Sequence, residues 1–265
     1  MTQRDAIDRG WESLEEEDPE EALDLADGIL SGDSGDLEAL HLAGCALMDM
    51  GRFEEAEERL RRAVKIDPEW GPTRESLAAL LYRACRFDEG LAEIDRVVQR
   101  EPQQASSRYL RGLLLDLLGR HEEADQSFLR ASRIDPEACP RPASMDRAAF
   151  ESVVEQALEA LPARFREPLG NVPILVEEVP TRGILETLEP PSPDLLGLFV
   201  GVPLPQQSSG DLPTHPNAIY LFKRSLERLC PDRESLLEEI RITLLHEIGH
   251  YLGMEEDELD DAGYS

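Results

Sequence analysis

Apolar and small residues return with a period of 34 through the first half of the chain. Pro68, Pro102 and Pro136 are spaced by 34 residues, twice within Ile-Asp-Pro. The segment Gly51-Arg52-Phe53-Glu54-Glu55-Ala56 aligns with Gly119-Arg120-His121-Glu122-Glu123-Ala124. Gly44 matches Gly112 upstream, and Ala63 matches Ala131 downstream. Self-similarity at such a period predicts a stacked array of repeats. Residues 37–136 carry three clear units, and a degenerate one precedes them with Gly10 and Ala22 at the matching positions. The middle unit departs, with Ala78 and Gly90 where its neighbours have Gly and Ala.

After Pro136 the periodicity stops, and Cys139-Pro140-Arg141-Pro142 cannot continue a helix. The domain boundary is expected there, between a repeat domain over 1–137 and a second domain over 144–265. Ser144 is expected to cap an amphipathic helix from Asp146 to Leu161, with Phe150, Val153, Val154, Ala157 and Leu158 on its apolar side. Apolar runs at 171–179, 195–202 and 218–222 predict three strands, the first an edge strand or one that starts after Pro173. The loop 203–217 is long enough to be functional. A final helix is expected from the N-cap Asp232, past Glu234, Glu238 and Glu239, to Gly253.

That helix carries the candidate chemistry, His246-Glu247-Ile248-Gly249-His250. At 3.6 residues per turn, His246 and His250 lie about 40° apart around the axis and one turn along it, so both imidazoles can reach one tetrahedral ion. Glu247 falls about 60° beyond His250, flanking the metal face as a base for bound water would. Leu244, Leu245, Ile248 and Leu252 face away and give the helix a back to bury. Gly249 costs a helix about 1 kcal/mol relative to Ala, an expense that suits the close approach of a strand or a substrate backbone.

Composition narrows the partners. A formal charge of −29 on 265 residues argues against nucleic acid and anionic membrane, and it suits a basic protein or peptide or simple solubility. Residues 1–34 hold twelve Asp or Glu against two Arg, which fits the solvated cap of a repeat stack or a charge-based docking site. No stretch has the apolar core of a signal peptide or the length of a spanning helix. Cys45, Cys85, Cys139 and Cys230 are scattered without Cys-x-x-Cys, as reduced thiols would be. A cytoplasmic location is expected.

The first half resembles the tetratricopeptide repeat. Residues 144–265 resemble the minimal zincin-like metallopeptidase domain of bacteria. The second resemblance rests on Leu195-Leu196-Gly197-Leu198-Phe199-x-Gly201-Val202-Pro203, on Ser225 to Cys230, on the His-Glu-x-x-His helix, and on Glu258-Leu259-x-x-x-Gly263-Tyr264. Together they imply an α-helical solenoid followed by a small α+β zincin-like domain, with Zn2+ held by the motif helix beneath a small sheet. A catalytic zinc takes three protein ligands plus water, and no His follows His250. Glu256 stands at the third-ligand position of His-Glu-x-x-His-x-x-Gly-x-x-(ligand), with Asp257 and Asp260 as competitors. His215 could line a cleft from the long loop, although a lone loop His is more often a surface group, and His41 and His121 read as structural or surface groups. Tyr251, Tyr220 or Tyr264 could donate to an oxyanion or could equally belong to the core. The expected activity is zinc-dependent peptide hydrolysis with Glu247 as base and the array binding a protein substrate or partner. The alternative is an interaction scaffold whose second domain binds metal structurally or not at all.

Overall fold

Small residues at fixed intervals let successive helices close on one another, and the 34-residue period becomes four helix pairs. The computed structural model describes residues 2–170, 172–206, 217–255 and 257–259, with Arg164 described in its backbone only. The pairs are α1 (Gln3–Glu15) with α2 (Pro19–Gly32), α3 (Leu37–Asp49) with α4 (Phe53–Ile66), α5 (Gly71–Arg83) with α6 (Phe87–Arg100), and α7 (Ala105–Leu117) with α8 (His121–Ile134). Each helix packs on the next, and the first helices of neighbouring pairs also touch, as in a solenoid. Gly44 and Gly112 lie under the side chains of Leu60 and Phe128, so a small residue on the first helix faces a large one on the second. In the middle unit the small residue has moved across, and Gly90 meets Leu114 and the carbonyl of Ala78.

The turn inside each pair repeats in its dihedral angles. Positions 17, 51, 85 and 119 all take positive φ: 60° at Glu17, 72° at Gly51, 56° at Cys85 and 73° at Gly119. The reason is a shared helix ending. In the second pair Arg52 N donates to Leu47 O at 2.8 Å and Gly51 N to Met48 O at 3.0 Å, which satisfies two terminal carbonyls only if the chain turns left-handed. Arg86 and Cys85 make the same two bonds, at 2.8 and 3.0 Å. An L side chain in that region costs about 1–2 kcal/mol, and glycine's extra freedom in the unfolded chain returns about 0.5–1 of it. Cys85→Gly is therefore expected to stabilise the array by roughly 0.5–1 kcal/mol. A denaturant midpoint that rises at unchanged slope checks this, and an unchanged or lower midpoint refutes it.

The repeat histidines are structural, as expected. His41 is buried between the rings of Trp11 and Trp70, at 5.1 and 5.0 Å, and its Nε2 pairs with Ser76 Oγ at 2.8 Å. Burial holds its pKa down to about 4. His121 Nδ1 bonds the fully buried Asp116 at 3.1 Å.

The chain divides into two compact units, Met1–Cys139 with Glu189–Pro191, and Pro140–Leu188 with Ser192–Ser265. The second contains α9 (Arg147–Ala160), α10 (Ala163–Leu169), β1 (Ile174–Glu177), α11 (Arg182–Leu185), β2 (Gly197–Val200), a 3-10 turn (Leu204–Gln206), β3 (Ala218–Phe222), α12 (Lys223–Leu229) and α13 (Arg233–Leu252). Asp146, not Ser144, caps α9, accepting from Ala149 N at 2.8 Å. The sheet order is β1-β3-β2. Ile219 of β3 faces Ile174 of parallel β1 on one side and Phe199 of antiparallel β2 on the other. The central position of β3 explains its unbroken apolar run. Phe150 and Val154 of α9, Ile219 and Leu221 of β3, and Leu236, Ile240, Leu244 and Ile248 of α13 share one core. α12 begins with a buried ion pair, Lys223 Nζ to Glu227 Oε1 at 2.8 Å, and the same oxygen accepts from Met145 N at 2.7 Å. That bond ties the segment entering the unit to its interior. No helix among the described residues is long and apolar enough to cross a membrane.

Candidate metal centre

The site is built on α13, whose ends are set by local chemistry. Asp232 caps it through Ser235 N at 2.9 Å, and this backbone bond holds the Asp232 carboxyl below its ordinary pKa. At the other end Gly253 turns left-handed at φ 82°, with Gly253 N donating to His250 O at 3.1 Å and Met254 N to Gly249 O at 3.0 Å. Between them Leu236, Ile240, Leu244 and Ile248 form a stripe four residues apart that is buried throughout. Leu245 and Leu252, expected on that back, are only half-buried, and Thr243 and Tyr251 are buried instead.

The two histidines converge. His246 Nε2 and His250 Nε2 are 2.9 Å apart, with their rings nearly perpendicular at 88°. Zinc bonds to imidazole nitrogen at about 2.0–2.1 Å with tetrahedral angles, which separates two such nitrogens by about 3.3 Å. A small opening of the pair therefore admits the ion, and the donor set suits it.

Glu247 is buried on the strand side of the helix. Its Oε2 accepts from Phe199 N of β2 at 2.6 Å, a charge-assisted bond that fixes the carboxylate. The approach depends on Gly197. A Cβ there would lie 2.8 Å from Thr243 Cγ2 and 2.9 Å from Glu247 Cγ, closer than side chains pack. The sequence places Gly197 and Phe199 in the motif of the zincin-like resemblance without giving either a role, yet a glycine inside a strand run is a signal of close backbone approach. The tight contact expected at Gly249 is made by a side chain of the same chain. The space a Cβ would fill there holds the side chain of Leu259, with Met254 Sδ at 3.5 Å.

Tyr251 is a core residue: its hydroxyl donates to Pro168 O at 3.0 Å and its ring meets Phe199 at 5.6 Å. Tyr220 stacks on Phe222 at 6.4 Å. Among the described residues, Asp257 included, no group of three His, Cys, Asp or Glu that could hold a metal is found. Glu256, Asp260, His215 and Tyr264 lie outside the described residues.

Residues 169–264 match the family described as zincin-like metallopeptidase, and residues 13–81, 47–114 and 105–137 match tetratricopeptide repeat families. The chain carries a tetratricopeptide array followed by a zincin-like domain. The zincin-like match spans β1, β2, β3 and the whole of α13. No curated protein matches the chain. Among solved structures, MamA from Desulfovibrio magneticus RS-1, taken from position 41 to its end, is 24% identical and similar over 51% of this chain and 76% of its own, with a TM-score of 0.46. Another MamA structure is 19% identical over 62% of this chain and 84% of its own, with a TM-score of 0.45. Likenesses this distant carry no weight for function.

Proposed function

We propose that the chain is a zinc-dependent peptidase whose tetratricopeptide array recruits a protein substrate or partner, a basic one by charge. The observation that carries this reading is the convergence of His246 and His250 at 2.9 Å beside a buried carboxylate held by the sheet. His246 and His250 would hold the metal through Nε2, with Glu256 as the proposed third ligand and Asp257 and Asp260 as its competitors. Zinc, when bound, supplies a Lewis acid and lowers the pKa of a water at the site. Glu247 takes the proton of the attacking water and passes it to the leaving amine nitrogen. The Phe199 amide keeps the carboxylate oriented for both transfers, so little rearrangement precedes the chemistry. Among the described residues β2 is an outer strand of the sheet, the kind of strand an extended peptide backbone can join. A structural metal site has no use for a buried acid at that place.

Metal analysis of protein purified without added zinc tests the reading, together with cleavage of a mixed peptide library. One zinc per chain and library cleavage are expected, and Glu256→Ala should weaken zinc binding at least tenfold, as loss of a direct ligand does. Zinc without cleavage would turn the reading into that of a scaffold with a structural metal. Protein that also ignores added zinc would end both.

A further inference from the structure

Six of the seven residues from Glu255 to Asp261 are acids, and the exception is Leu259. Such a segment repels itself and favours an extended, solvated course. Yet Leu259 is fully buried while its neighbours Asp257 and Glu258 are exposed. Its side chain occupies the hollow left by the missing side chain of Gly249, the residue next to His250. The backbone is drawn to the same point. Met254 N bonds Gly249 O at 3.0 Å, and a single turn follows, with Glu255 N on Glu258 Oε2 at 3.0 Å and Leu259 N on Glu255 O at 3.1 Å. Met254, through its backbone, and Leu259, through its side chain, are thus both fastened to α13 at one glycine.

We infer that Leu259 is a positioning residue for the metal: by seating on Gly249, next to His250, it returns the chain that follows Gly253 to α13, and so sets the affinity of the site. The inference rests on the zinc reading above. Its physical content is preorganisation. With the segment held before the ion arrives, binding does not have to gather mutually repelling carboxylates, and the entropy and repulsion are met in folding instead. Gly249 has the same explanation, since a helix that merely presented two histidines would gain from Ala at that position.

Competition titration of the full-length chain with a chromogenic zinc chelator tests this. Leu259→Ala and Gly249→Ala should each weaken zinc binding by about 10–100-fold, the range for groups that orient direct ligands. Leu259→Met, similar in volume, should bind near wild type. The two Ala variants differ in a readout that a merely structural role would order differently. Thermal unfolding of the metal-free protein should shift down for Leu259→Ala and by less for Gly249→Ala, whose better helix propensity offsets part of the lost Leu259 burial, while both lose zinc affinity. If Leu259→Ala fails to fold, Gly249→Ala decides alone. A folded Gly249→Ala with wild-type zinc affinity overturns the inference and leaves the zinc reading standing. A wild-type chain that takes up no zinc overturns the reading itself.

Discussion

Glu247→Gln is expected to keep zinc at one ion per chain while peptidase activity falls by about 10²–10⁴-fold, the worth of a positioned acid–base group. The amide keeps the size and shape of the side chain and can still accept from Phe199 N through its carbonyl oxygen, the bond Glu247 Oε2 makes at 2.6 Å. What it loses is the capacity to take a proton from water. Melting temperature and zinc content of the variant, measured beside its cleavage rate, separate chemistry from folding. A Gln variant that cleaves as fast as wild type would remove Glu247 from the mechanism.

The second large effect is expected on the opposite side of the same contact. Gly197→Val places a branched carbon where Thr243 Cγ2 and Glu247 Cγ leave 2.8 and 2.9 Å. Both are side-chain atoms close to the backbone of buried residues on α13, so neither can yield cheaply. Strand β2 must retreat or Glu247 must swing away. Overpacking of this kind costs about 1–3 kcal/mol of stability, and a catalytic group misplaced by about 1 Å costs on the order of 10²-fold in rate. Zinc content should hold, since both histidines belong to the rigid helix. Gly197→Ala should show the same losses in milder form. Wild-type stability and rate in Gly197→Val would show that β2 does not position the base.

The array was legible because its 34-residue period records a backbone geometry made four times. Even so, the left-handed turn recurs at Glu17 and Cys85, where no glycine announces it. The ends of α13 were legible for a similar reason, since Asp232 and Gly253 act on the few residues next to them. β3 was read at its full extent from its apolar run, whereas β2, expected over 195–202, is confined to Gly197–Val200. The short helices α10 and α12 were not foreseen. One carries Pro168 inside it and the other is a single polar-looking run, Lys223 to Leu229, two of whose four charges are buried by pairing Lys223 with Glu227. A buried ion pair looks like a solvated surface when only the sequence is in hand.

The motif spacing alone determined that two imidazoles and an acid share one end of a helix, because helical geometry is local and 3.6 residues make a turn wherever they occur. Likewise Gly249 by itself announced a close approach. Only the tertiary structure decided what approaches: Leu259 from the acidic segment at Gly249, and α13 itself at Gly197, with the Phe199 amide holding the acid in between. A missing side chain states that space is needed, but the group that takes the space comes from elsewhere in the chain, and nothing in the spacing of nearby residues records it.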